Sequence, residues 1–109
     1  MTDLVAAATA LIPELRGRAA MAEQLRQVPP ENVAALKRAG SYKVLQPKSV
    51  GGYEESLHTH IDVIAALARG CTSTAWCAGV VHAHSWLMGL FPDQALQDAY
   101  GKDPDTLIA

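Results

Sequence analysis

The chain has 109 residues, a formal net charge of −2, half of its residues apolar and only 18% charged. That length suits a single domain, and the composition excludes a disordered acidic or basic tail. With no surplus of Lys and Arg to grip phosphates, it also argues against nucleic acid as a partner. Two cysteines, Cys71 and Cys77, make neither a disulfide framework nor a zinc site, so a reducing, cytoplasmic setting is expected and both read as small buried hydrophobes. Asp3 stands where a signal peptide needs positive charge, and Glu14 and Arg16 interrupt the apolar stretch that follows. The longest apolar run, Ala75 to Phe91, carries His82, His84 and Ser85, whereas a membrane span needs roughly 20 predominantly apolar residues. No membrane association is expected.

In chain order, Leu4, Ala8, Leu11, Leu15, Ala19, Ala22 and Leu25 recur at helical steps and predict a long helix over Asp3–Gln27, kinked or delayed at Pro13. Pro29-Pro30 ends it. Pro30 then opens a second helix to Ala39, with Val33 and Leu36 inward and Gly40 as its C-terminal cap. Tyr42 to Tyr53 is a connector, in which Gln46-Pro47 and Gly51-Gly52 mark turns. A third helix begins near Ser56, buries Leu57, Ile61, Ile64, Ala65 and Ala68, and stops at Gly70.

The fourth helix runs from Thr72 or Ser73 to Leu90 and is apolar nearly all round, which predicts burial on most faces. A short fifth helix covers Asp93–Tyr100, and the turn at Asp103-Pro104-Asp105 leads to a β-prone end, Thr106-Leu107-Ile108-Ala109. The expected fold is therefore all-α, a small bundle of about five helices. Aromatic residues are scarce, yet Trp76, Trp86 and Phe91 lie close together, which suggests a surface built to face something else.

The candidate chemistry is thin when read from spacing alone. His58 and His60, like His82 and His84, are two residues apart on a helix and point in different directions, so neither pair chelates a metal. His58 and His60 read as solvated surface. Ser73, Cys77, Val80 and His84 form one stripe of the fourth helix with Trp76 beside it, and a histidine there reads first as a satisfied core residue. Gly51-Gly52 lacks the pattern of a phosphate loop and reads as a turn.

Several phrases then combine. Pro13-Glu14-Leu15-Arg16, Val33-Ala34-Ala35-Leu36 with Gly40, and Leu45-Gln46-Pro47 with Gly51-Gly52 together resemble the N-terminal helical domain of acyl-CoA dehydrogenases. The stretch Leu67-Ala68-Arg69-Gly70-Cys71-Thr72-Ser73-Thr74-Ala75-Trp76, followed by His84-Ser85-Trp86-Leu87, is narrower. It resembles the oxygenase components of two-component flavin-dependent monooxygenases that share that fold.

The resemblance implies hydroxylation of a phenolic or other small aromatic substrate with O2, using reduced FMN (FAD being the alternative) delivered by a separate flavin reductase. It assigns Trp76 to the flavin, His84 to the substrate phenol as the catalytic histidine, and Ser73 as a further substrate contact that competes with a helix-capping role. Histidine suits the phenol because its proton exchanges near neutral pH. The resemblance also implies a homo-oligomer, tetrameric in the full-length family. Residues 1–105 then correspond to the helical domain and 106–109 to the start of a truncated middle β-domain, so the chain by itself is expected to be an incomplete catalyst. Two other readings stay open: the same domain of an acyl-CoA dehydrogenase, and a non-catalytic helical interaction module.

Overall fold

The computed structural model describes residues 3–108. Among them are seven α-helices, α1 (Leu4–Ala10), α2 (Ile12–Gly17), α3 (Ala19–Leu25), α4 (Pro30–Arg38), α5 (Leu57–Gly70), α6 (Thr72–Met88) and α7 (Asp93–Tyr100), with one 3-10 turn over Lys48–Val50. The described residues contain no strand. The all-α architecture is as expected, and the higher helix number comes from one place.

The helix expected over Asp3–Gln27 is three short ones. Asp3 caps α1 by accepting the Ala6 amide at 2.9 Å. Pro13 has no amide to continue the ladder, and the chain tightens just before it, the Leu11 amide bonding back to Ala8 O at 3.1 Å. A second break follows Gly17, a weak helix former, where the Arg18 amide turns to Leu15 O. The Arg18 side chain secures that break by donating to Asn32 Oδ1 at 2.6 Å, and the Asn32 amide donates to Thr74 Oγ1 at 3.0 Å. One buried polar chain thus links the α2–α3 joint to α4 and α6.

α4 ends as its glycine requires. Gly40 takes a positive φ of 74°, its amide bonds Lys37 O and the Ser41 amide bonds Leu36 O, which closes the helix in a Schellman motif. The connector that follows folds against itself: the Tyr53 amide reaches Lys43 O and the Glu55 amide reaches Val44 O. Gln46 is buried within it and donates to both Val50 O and Pro104 O at 2.8 Å, which ties the connector to the chain's other end.

α5 is the hub, with α1, α2 and α6 all packed on it. Gly70 is helical and serves packing, since a Cβ there would lie 2.7 Å from the Leu15 Cβ. Arg16 crosses the same contact to donate to Arg69 O, a carbonyl at the α5 C-terminus that the helix itself leaves unpaired. The buried face of α5 is rotated from the expected one: Val63, Ala66, Leu67 and Gly70 are buried, Ile64 and Ala68 are half-buried, and Leu57 and Ile61 are 55% and 63% exposed. Both stripes have helical spacing, and the close approach of α2 at Gly70 selects the one with small residues.

A second, smaller core joins Val50, Leu96 and Tyr100, and the Tyr100 hydroxyl donates to Ser85 Oγ at 3.1 Å. Thr106 to Ile108 form no strand, but Leu107 packs on the main core and Ile108 on the smaller one. Ala109, the last residue of the segment 106–109, lies outside the described residues. No helix among the described residues is long and apolar enough to cross a membrane.

Candidate functional site: the two faces of α6

α6 is apolar nearly all round but is buried on one side only. Its inward face consists of Thr74, Ala75, Ala78, Val81, His82 and Ser85, all buried. Its outward face carries Ser73, Trp76, Cys77, Val80, Ala83, His84, Trp86 and Leu87, of which only Val80 and His84 are half-buried. The burial expected on most faces is therefore wrong, and for a geometric reason. α5 approaches closely only where α6 offers small residues, so the tryptophans are displaced to the other side. Cys77, expected to be buried, is exposed with them.

The inward polar groups are all satisfied. Thr74 Oγ1 accepts from Asn32 and lies 3.3 Å from Cys71 Sγ, while Ser85 accepts from Tyr100. His82 is fully buried; its Nε2 donates to the Ser41 carbonyl, and its Nδ1 lies 2.8 Å from His60 Nδ1. Burial, with a smaller contribution from the neighbouring His60, outweighs the Ser41 carbonyl and pushes the His82 pKa down to about 4. Burial likewise holds His60 below the ordinary histidine range.

The satisfied core histidine is therefore His82, not His84, and His60 is half-buried rather than plain surface. Sequence reasoning missed this pair. The available signal was the stripe Ala75, Ala78, His82, Ser85, whose small members mark the face that a neighbouring helix can approach.

On the outward face Trp76 is 73% exposed and stands between two grooves. One, of about 320 Å3, is lined by Val28, Val33, Tyr42, Cys77, Val80, Val81 and Leu107. Burial, aided by the nearby Cys77 thiol, pushes the Tyr42 phenol up to about 12, so it stays a neutral donor. The other groove lies between α5 and α6 and is lined by His60, Ile64, Ala75, Gly79, Val80 and Ala83. His84 lines neither groove. It is eight residues beyond Trp76, about 12 Å further along the helix axis, on the Ser73–Cys77–Val80 stripe.

Ser73 is not the helix cap. Cys71 holds that position without a side-chain capping bond, and Ser73 is exposed as the second residue of the helix, 3.4 Å from Cys71 Sγ. Burial pushes the Cys71 thiol up, but the hydroxyls and amides of Ser73 and Thr74 outweigh it and hold the thiol below its ordinary value. Ser73, Trp76 and His84 thus share one face without converging on one enclosed cavity. Among the described residues no cluster of three or more His, Cys, Asp or Glu side chains is placed to hold a metal.

Comparison with known proteins gives this face a context. Residues 5–102 match the family model described as acyl-CoA dehydrogenase, N-terminal domain. The oxygenase subunit HsaA of a flavin-dependent monooxygenase from Rhodococcus jostii is 36% identical over 100 residues, covering 92% of this chain and 26% of the relative. The oxygenase component of an FADH2-dependent resorcinol hydroxylase from a Rhizobium species is 33% identical over 93 residues, covering 85% of this chain and 23% of the relative. The crystal structure of the HsaA monooxygenase from M. tuberculosis superposes with a TM-score of 0.91 at 36% identity, covering 95% of this chain and 28% of that one. The chain therefore spans about a quarter of the length of the relatives it matches. It belongs to the acyl-CoA dehydrogenase N-terminal domain family.

Proposed function

We propose that this chain supplies the N-terminal helical domain of a reduced-flavin-dependent oxygenase that hydroxylates a phenolic or other small aromatic substrate with O2. The observation that carries the reading is the outward face of α6, where a large indole is left 73% exposed beside an apolar groove. An isoalloxazine is planar, apolar at one end and polar at the other. The residues present suit it: the Trp76 ring offers a stacking surface, Val28, Val33, Val80 and Leu107 an apolar wall, and Tyr42 a hydrogen-bond donor. When bound, reduced flavin would supply the electrons that activate O2. Two of the relatives' own names, a resorcinol hydroxylase and a flavin-dependent monooxygenase, favour this reading over an acyl-CoA dehydrogenase.

Within that reading Trp76 packs against the flavin and excludes water from it. His84, two turns along the same face, accepts the proton of the substrate phenol, and the resulting phenolate character makes the neighbouring ring carbon nucleophilic. Ser73, free of a capping role, is the further substrate contact. The FADH2-dependent relative favours FAD as the flavin, with FMN the alternative expected from sequence. A separate reductase supplies it in reduced form. We extend the reading to a cytoplasmic homo-oligomer in which residues 106–109 lead into a β-rich middle domain.

His84→Ala in that oxygenase is expected to slow hydroxylation by roughly a hundredfold while flavin oxidation continues, so that hydrogen peroxide replaces the hydroxylated product. Unchanged coupling of oxygen use to product would remove His84 from the mechanism.

A further inference from the structure

The groove between α5 and α6 contains an imidazole whose chemistry is dictated from behind. A backbone carbonyl only accepts, so the contact between His82 Nε2 and Ser41 O requires the proton to be on Nε2. His82 Nδ1 is then a bare lone pair. Its partner at 2.8 Å, His60 Nδ1, must carry the proton between them. His60 is thereby held in the Nδ1–H tautomer, the less common form of a free histidine side chain. Its remaining nitrogen, Nε2, is an acceptor with no partner among the described residues. The two rings meet edge to face with centroids 5.0 Å apart, so the pair is a rigid unit set between the helices.

In front of this unit lies the groove of about 320 Å3, with walls of Ile64, Val80, Ala83 and the exposed Trp76 ring. The Ala75 methyl and the bare backbone of Gly79 complete its lining. It therefore presents apolar flanks, one aromatic face and one hydrogen-bond acceptor. That combination suits a small planar aromatic molecule bearing a single O–H or N–H donor. A carboxylate or phosphate finds no cation there, and an aliphatic chain leaves the acceptor unused.

We propose that the α5–α6 groove is a binding site for a small aromatic O–H or N–H donor, with His60 Nε2 as the acceptor and His82 as the residue that positions it. The site lies on the opposite side of Trp76 from Tyr42 and Cys77, and His84 takes no part in it. Burial keeps His60 neutral near pH 7, which preserves the lone pair. His82 acts only through His60; replacing it frees His60 to adopt either tautomer, which a purely space-filling role for His82 does not require.

The test uses the 109-residue chain itself, uniformly labelled with 15N, with phenol as the probe and anisole as the probe lacking a donor. Long-range 1H–15N spectra of the free chain should show His60 Nδ1 protonated and Nε2 bare. Phenol should move the His60 Nε2 resonance and quench Trp76 fluorescence in a Trp86→Phe background. Phenol should bind about fivefold more tightly than anisole, the margin of one net hydrogen bond. His60→Phe should abolish that margin, and His82→Gln should restore a mixed His60 tautomer.

Equal binding of the two probes, no binding of phenol, or an Nε2 resonance that phenol leaves unmoved would each overturn the proposal. The spectra of the unsubstituted chain decide it even where a variant fails to fold. Because His84 is not involved, failure here leaves the hydroxylation reading to its own test.

Discussion

The two faces of α6 reverse the usual distribution of residue types. Inward, beside Ala75, Ala78 and Val81, are a threonine, a histidine and a serine, each bonded to a partner from another segment; outward, beside Ser73, Cys77, Ala83 and His84, are two tryptophans, a leucine and a valine. Burial normally sorts side chains the other way. The inward face has what a close helix contact needs, small residues and fully paired polar atoms. The outward face has what a ligand or a further domain needs, broad apolar and aromatic area. Stability therefore rests on the inward face and not on the outward one, and substitutions on the two faces should separate accordingly.

The largest expected effect is at His82. His82→Leu fills much of the space but strands the Ser41 carbonyl and the His60 Nδ1–H, and should lower unfolding free energy by about 4 kcal/mol in a urea titration. A loss below about 1 kcal/mol would show that these buried contacts do not matter, because ordinary surface substitutions reach only about half that.

The pH dependence of stability should follow from the same residue. The His82 pKa is about 4 in the folded chain against an ordinary value of 6.5, so the unfolded state binds the proton first as pH falls. This contribution to stability is fully present above pH 6.5 and is lost progressively down to about pH 4, reaching about 3 kcal/mol at most. His60, depressed in the same direction, adds to the fall. Urea midpoints measured across this range should drop in the native chain and drop less in His82→Gln.

A smaller effect is expected at Thr74. Thr74→Val keeps the shape but leaves the buried Asn32 amide without its acceptor, which should cost about 2 kcal/mol. The outward face should be nearly silent by the same measure, with Trp76→Ala shifting unfolding free energy by no more than about 0.5 kcal/mol. A large loss at Trp76 would place that ring in the core and end the contrast.

Much of this arrangement was legible in the residue pattern. The Pro30 start and Gly40 stop of α4, and the span of α7, follow from local chemistry that tertiary packing does not override. The all-α class was legible, and the clustered aromatics Trp76, Trp86 and Phe91 are all exposed, as their reading as an outward surface implied. What spacing did not show was which stripe of α5 and α6 turns inward. Leu57 and Ile61 look more like core than Val63 and Ala66, yet the core follows the glycine and alanines that let helices approach. The His60–His82 contact joins residues 22 apart on separate helices, and no spacing rule reaches across them. For the candidate site, Ser73 and Trp76 are exposed and His84 is half-buried, where spacing alone read His84 first as core, and the proximity of Tyr42, Val28 and Leu107 to Trp76 depends on tertiary packing alone.

On the proposed function, the exposed Trp76 ring is a flavin-packing surface rather than a misplaced core residue. The direct test is an anaerobic titration of the oxygenase with reduced flavin, comparing the native protein with Trp76→Ala. Loss of one aromatic stacking partner is expected to weaken binding by about tenfold, with the melting transition unchanged. Equal affinity in the two proteins would remove Trp76 from flavin binding.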